Sequence, residues 1–325
     1  MNSSKTVLVI GANGGIGSEA CSALQRHGWK VRALVRKPPT DRGKIEWLVG
    51  DAMNADDVRK AATGASVIVH AVNPPGYRGW DKLVLPMLDH TIAAARAHRA
   101  RIVLPGTIYN YGPDAFPQLT EHSPQHPHTR KGELRAEMER RLHAATAEGV
   151  PSLILRCGDF FGPQAGNNWL VQGLIRPGAP VQRMLYPGDY SLGHSWAYLP
   201  DVAEALAKLL DRESDLPPFA SFHFGGYWLD GHGMLAALRR ATGNPDIKAG
   251  RFPWWLMRLA APFNETMREL IKMRYLWREP IQLDDQKLKA FLGGALYTPI
   301  DDALGAALTG AGCLAPINRS AYAGS

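Results

Sequence analysis

Lys131 and Arg135 stand four residues apart in the stretch Lys131-Gly-Glu-Leu-Arg135-Ala-Glu-Met-Glu139. On a helix two such residues share a face, one turn apart. An ammonium group there can donate a proton to a substrate oxygen, and a neighbouring guanidinium together with partial burial would push its pKa down towards a useful range. The same two cations also fit a solvated face, paired with Glu133, Glu137 and Glu139. Upstream, Thr107 follows the apolar run Arg101-Ile-Val-Leu-Pro105 and offers a hydroxyl for a substrate oxygen. Tyr109 is a substitute acid, whereas Tyr111 suits a structural role in the turn. His128 precedes the helix, as a surface-loop histidine or one that reaches the cleft.

A second constellation lies at the start of the chain. Lys5-Thr-Val-Leu-Val-Ile10 is a short, β-branched, apolar run, followed at once by Gly11-Ala-Asn13-Gly14-Gly15-Ile16-Gly17 and a helix ending at Gly28. In this context Gly11 permits the tight turn, Gly14 the approach of backbone N–H groups to a pyrophosphate, and Gly17 close helix–strand packing. The helix N-terminus adds unpaired donors for the anion. The expectation is a dinucleotide site, with an ordinary tight turn as the bland alternative. The second strand, Lys30–Arg36, ends where an NAD-binding chain carries an acid about 20 residues past the glycines. Here Arg36 and Lys37 stand instead, cations that suit the 2′-phosphate of NADP.

These groups must be positioned by a fold, and the order of elements names one. Strands at Ile45–Val49, Ser66–Ala71 and Val150–Arg156 join those above, with helices at 83–100 and 129–148 between them. Such alternation predicts an α/β chain with a Rossmann-type, doubly wound parallel sheet. Residues 1–160 form the NADP-binding domain. Residues 161–325 form a smaller, mostly helical substrate lobe interwoven with returning sheet elements. Asp201 caps a helix running to Leu210. The aromatic-rich stretch from Arg251 to Trp277 reads as the core of the small lobe and the wall of a substrate cleft.

Composition narrows the classes. The chain has 325 residues, 45% hydrophobic and 21% charged, as expected of a globular enzyme. A net charge of +7 raises the question of nucleic acid, but the cations are scattered and no zinc-finger or RNA-binding motif is present. Cys21, Cys157 and Cys313 are too few and dispersed for a disulfide framework or a metal site. Cys21 reads as a small core residue. No run reaches transmembrane length and no signal peptide is visible, so a cytoplasmic protein without a membrane partner is expected.

Across residues 5–210 the chain resembles the extended and atypical short-chain dehydrogenase/reductase superfamily. Besides the glycine loop, Thr107-Ile-Tyr-Asn-Tyr111-Gly112 and Arg156-Cys-Gly-Asp-Phe-Phe-Gly162-Pro163 are similar to stretches of its sugar-nucleotide epimerase/dehydratase branch. The helix departs from that branch. Where Tyr-x-x-x-Lys is usual, Lys131-x-x-x-Arg135 stands, as in the isoflavone-reductase-like and NmrA-like atypical branch. The resemblance implies Thr107 hydrogen-bonding the substrate, Lys131 as acid/base near the nicotinamide, and Arg135 on the nicotinamide ribose. It places Asp51 against the adenine, and Ala71 and Asn73 near the cofactor. Asn73-Pro74-Pro75 equally suits a plain turn. A homodimer is the superfamily's habit. The expected activity is an NADPH-dependent reductase of a small, largely apolar carbonyl or activated double bond. The alternatives are a sugar-nucleotide epimerase or dehydratase, for which Arg176, Arg183 and Arg251 are available, and a non-catalytic NADP-sensing regulator.

Overall fold

Val7, Leu8, Val9 and Ile10 are apolar in succession, not in alternation, so the strand they form is satisfied only between two covering layers. The computed structural model, which describes residues 5–41, 43–74, 79–166, 168–294 and 297–315, has that arrangement. The first part of the chain runs β1 (Thr6–Ile10), α1 (Gly15–Arg26), β2 (Lys30–Val35), β3 (Glu46–Val49), α2 (Ala55–Ala61), β4 (Val67–His70), α3 (Trp80–His98) and β5 (Arg101–Thr107). It continues through β6 (Gln118–Leu119), α4 (Arg130–Ala147), β7 (Ser152–Cys157), β8 (Asp159–Phe161), β9 (Arg183–Tyr186), β10 (His194–Tyr198), α5 (Leu199–Asp211) and β11 (Phe219–Phe224). The remainder is β12 (Tyr227–Leu229), α6 (Gly231–Thr242), β13 (Lys248–Arg251), α7 (Trp254–Ala260), α8 (Glu265–Lys272), β14 (Gln282–Leu283), α9 (Gln286–Leu292) and α10 (Ile300–Gly310).

Seven strands make one parallel sheet in the order β11-β7-β5-β4-β1-β2-β3. The α1 and α5 helices pack together over one face, with Ala20, Leu24, Val202 and Leu206 in that core. The α2, α3 and α4 helices cover the other, through Val58, Leu88, Met138 and Leu142. This is the doubly wound Rossmann sheet expected from sequence. Between β1 and β4 the strand order reverses, which opens a crevice at the carboxyl ends of the strands. A third core joins β8, β10 and β12 to the lobe helices around Trp196, Tyr186 and Trp277.

Some elements differ from expectation. The short α2, the seventh strand β11 and the small lobe sheets carry no strong sequence signal. Asp201 is not a cap, because α5 already begins at Leu199 behind Tyr198. Its carboxylate instead accepts the Thr298 N–H at 2.8 Å and the Thr298 hydroxyl at 2.6 Å, tying α5 to the approach to α10. Of the late aromatics, Trp254, Tyr275 and Trp277 are core, while Trp255 and Phe263 are exposed. Cys21 is buried, as expected.

One buried ion pair fastens α4 to the sheet. Arg156 of β7 reaches Glu139 of α4 at 2.6 Å, and its other nitrogen donates to the Thr107 carbonyl at 2.7 Å. The Gln125 amide donates to the same Glu139 oxygen at 2.9 Å. Removing one partner strands a charge out of water, typically at a cost of about 3–5 kcal/mol. Glu139→Ala is therefore expected to lower unfolding stability by that amount in a denaturant titration.

Candidate functional site

The glycine loop sits at the end of β1, against the backbone that follows β4. Gly11 has φ +89°, the left-handed region, and a Cβ there would lie 2.8 Å from the Ala71 carbonyl. A Cβ on Gly17 would overlap the Gly11 carbonyl. No side chain caps α1 at Gly14, so the first-turn N–H groups face the crevice without a side-chain acceptor. Ile16 packs against the sheet core. The Asn13 amide donates to the Lys37 carbonyl at 2.9 Å, joining the glycine loop to the end of β2. Arg36 and Lys37 are exposed there. This cradle fits a dinucleotide: bare backbone donors at a helix N-terminus, with two cations beside them. Asp51 spends its carboxylate locally, accepting the Met53 N–H at 2.9 Å.

The second cluster gathers at the carboxyl end of β5 and the first turns of α4. Thr129 caps that helix by accepting the Gly132 N–H at 3.2 Å. Gly132 is required here, because a Cβ would overlap the Tyr109 carbonyl, and its absence lets α4 close on the loop after Thr107. The Thr107 hydroxyl is buried and has no hydrogen-bond partner among the described residues. Arg135 donates to the Asn73 side-chain oxygen at 2.9 Å, so two residues assigned to the cofactor region meet. Pro75, in the turn considered for Asn73, lies outside the described residues. The Lys131 ammonium lies 5.8 Å and the Arg135 guanidinium 5.2 Å from the centre of the Trp80 ring.

Lys131 and Arg135 do not form a solvated face. Both are buried, while Glu133 pairs with Arg130, Glu137 with Arg140 and Arg141, and Glu139 with Arg156. The ammonium of Lys131 meets Glu269 of α8 at 3.7 Å. Burial pushes its pKa from 10.5 down to about 8, partly opposed by Glu269. A depression through Arg135 and partial burial is the expectation from sequence; lost hydration is its leading cause, and Arg135 is not among the groups that produce it. Arg135 acts on a different neighbour. Burial, then this guanidinium, push the His70 imidazole down to about 3, so His70 stays neutral where it meets the Thr91 hydroxyl at 2.9 Å.

Tyr111 is spent on structure. His223 approaches the Leu119 carbonyl with Nδ1 at 3.2 Å, which makes Nδ1 the donor and leaves Nε2 to accept from the Tyr111 hydroxyl at 3.2 Å. Burial raises the Tyr111 phenol further. His128 is exposed, its ring 5.2 Å from that of Tyr275. Tyr109 instead borders a cavity of about 260 Å³, with Phe160, Trp169, Phe252, Met257, Met267 and Leu270 as its apolar walls. Asp159 also lines it, held at 2.7 Å by His194, whose ring stacks on Trp277 at 4.1 Å. Nothing in the sequence spacing of Asp159 and His194, 35 residues apart, announces this pair. Arg176, Arg183 and Arg251 do not line this cavity. Among the described residues no cluster of His, Cys, Asp or Glu could hold a metal ion, and no helix is long and apolar enough to cross a membrane.

A parallel sheet with a bare glycine cradle at its switch point defines a dinucleotide-binding protein of the Rossmann class. The chain belongs to the NAD dependent epimerase/dehydratase family, whose model matches residues 7–223. A nicotinamide dinucleotide is accordingly its class of cofactor. Over 178 residues it is 31% identical to the 3-diazoavenalumate denitrifying reductase of a Streptomyces species, covering 49% of this chain and 58% of that protein. Over 63 residues it is 43% identical to the acetoacetyl-CoA reductase of an Acinetobacter species, 19% of this chain and 25% of that one. The chain thus spans less than two thirds of the curated relatives it matches. In fold it is similar to the UDP-glucose 4-epimerase of Bifidobacterium longum, solved with NAD+ and UDP (TM-score 0.71, 15% identity, 94% of this chain and 97% of that one). It is also similar to the UDP-glucuronic acid 4-epimerase of Bacillus cereus, solved with UDP-glucuronic acid and NAD (TM-score 0.70, 17% identity, 93% and 98%).

The buried ammonium has a thermodynamic signature. Below about pH 8 Lys131 is charged in both the folded and the unfolded chain, and the folded state carries the desolvation cost. Between about 8 and 10.5 the folded chain has released that proton while the unfolded chain keeps it, so stability rises with pH. The gain across this window is on the order of 3 kcal/mol. Comparing wild type with Lys131→Met by urea unfolding across this range should show the variant lacking that rise.

Proposed function

We propose that the chain is an NADPH-dependent reductase of a small, largely apolar carbonyl or activated double bond. The observation that carries this is the lining of the cavity: Phe160, Trp169, Phe252, Met257, Met267 and Leu270 give it apolar walls, and its polar groups are the uncharged Tyr109, Asn168, Gln172, Asn264 and Thr266 and the carboxylate of Asp159, with no lysine or arginine. A nucleoside diphosphate needs cations or clustered N–H donors for its phosphates. At about 260 Å³ the space is also at the small end for a ligand site. Two of the curated relatives are reductases by name, in line with this reading.

In this reading the backbone of Gly11, Gly14, Gly15, Ile16 and Gly17, with Asn13, holds the pyrophosphate, and Arg36 and Lys37 hold the 2′-phosphate. Asp51, Ala71 and Asn73 border the remainder of the cofactor, and Lys131 its nicotinamide end. The bound nicotinamide supplies a hydride. Lys131 gives its ammonium proton to the substrate oxygen, or to the carbon of an activated double bond, and the Thr107 hydroxyl donates a hydrogen bond to the oxygen as charge develops. Arg135, fixed by Asn73, orients the nicotinamide ribose. The apolar walls shield the substrate from water; Thr107 and Lys131 are not among the residues that line this cavity, and Tyr109, two residues past Thr107, borders it.

Cofactor preference is tested by calorimetric titration. NADP(H) is expected to bind more tightly than NAD(H) by about 1–3 kcal/mol, and Arg36→Ala to remove most of that difference. Equal affinities in the wild type would overturn the NADP assignment.

Turnover is tested by following NADPH oxidation over aromatic ketones, enones and aryl diazo compounds, with UDP-glucose as the competing class. For any compound reduced, kcat should fall as pH rises through about 8, because only the ammonium donates. Lys131→Ala should lower kcat by roughly 10²–10⁴ with cofactor affinity nearly unchanged. Interconversion of UDP-glucose without net NADPH oxidation would favour the epimerase reading. No turnover of either class, with tight cofactor binding, would favour a regulator.

A further inference from the structure

The outer surface of α7 is unusual for a folded protein. Trp255, Leu256, Leu259 and Phe263 are 66%, 50%, 65% and 92% exposed. On α7 itself, at 100° per residue, Trp255, Leu256 and Leu259 fall within one arc of about 100°, while Trp254 faces the core and Met257 the cavity; Phe263 closes the short 3-10 turn that follows. Three exposed apolar residues on one side of α7 and a fourth in the next turn make an apolar stretch that is left uncovered among the described residues.

Its surroundings are cationic. By sequence position the lysines and arginines are scattered, but residues 251–278 hold six of them against two glutamates, more than half of the chain's net +7. Both an acid and two bases of this segment are already engaged, through the contact of Glu269 with Lys272 and Lys131 and the stacking of Arg274 on Trp254. Arg258, Arg274 and Arg278 are close enough for their charges to oppose one another. An exposed apolar helix face flanked by clustered guanidiniums is the chemistry of an interfacial helix, which buries a few large side chains among acyl chains and sets cations at the headgroups.

We propose that α7, with the arginine cluster beside it, docks peripherally on an anionic phospholipid surface. Lack of a spanning helix does not bear on this mode, which needs only a surface stripe. A second copy of the chain fits the stripe less well. A two-fold contact brings the same patch against itself and would set the arginine cluster against its own copy. The docking does not depend on which reaction the cavity carries.

Vesicle co-sedimentation tests it without turnover, using phosphatidylcholine vesicles with and without about a third phosphatidylglycerol, at low and high salt. The wild type should bind the anionic vesicles at least about tenfold more tightly than the neutral ones, and release as salt rises. Trp255→Ser with Phe263→Ser should abolish binding, and Arg258→Glu with Arg278→Glu should abolish the preference for anionic lipid. All four side chains lie outside the buried core, and circular dichroism would verify that the variants fold. Absence of binding to anionic vesicles, or binding unchanged by the Trp255/Phe263 pair, overturns the proposal. So does a dimer in sedimentation equilibrium that the same pair dissociates, because the stripe would then be a subunit interface.

Discussion

Arg156 and Glu139 hold the molecule's second cluster in place. A guanidinium and a carboxylate 2.6 Å apart, both buried, could not persist without each other, and each has a further tie. The arginine fixes the Thr107 carbonyl at the end of β5, and the glutamate takes the Gln125 amide from the segment before α4. Strand, loop and helix are thereby referred to one point. Gly132 then sets how near α4 can come to that loop. The position of Lys131 relative to Thr107 follows from these contacts and from the cap at Thr129.

The cofactor cradle rests on a different kind of constraint. At Gly11 and Gly17 backbone meets backbone, and a side chain cannot be accommodated by a rotamer change. The close approaches at Gly11 and Gly17 involve backbone alone, whereas the Lys131 and Arg135 cluster depends on long charged groups packed around Trp80. The fold joins the two through the crevice between β1 and β4.

Much of this was legible in the sequence, for identifiable reasons. Runs such as Thr6–Ile10, with four apolar residues in succession, have no polar face, and a glycine triplet between the first strand and helix has few other uses. The Lys131/Arg135 spacing was visible, because helical neighbours are local. What the sequence did not reveal was contact between distant segments. Glu269 reaches Lys131 from α8, and His194 reaches Asp159 from β10, with no spacing rule to connect them. The β11 strand was missed because six residues of mixed character far from the other strands do not announce their partner. Aromatic density between 251 and 277 points to the lobe core, where Trp254 and Trp277 lie, yet does not separate them from the exposed Trp255 and Phe263; Trp254 and Trp255 are neighbours on α7, one turned to the core and one to solvent.

The contact between Lys131 and Glu269 spans two separately packed cores, one built on the sheet and one on the lobe. The acidity of the lysine is therefore not a local attribute of α4. Were α8 to draw away, water would reach the ammonium and its proton affinity would climb back towards that of a free amine. The strength of this acid thus measures how closely the two halves are pressed together.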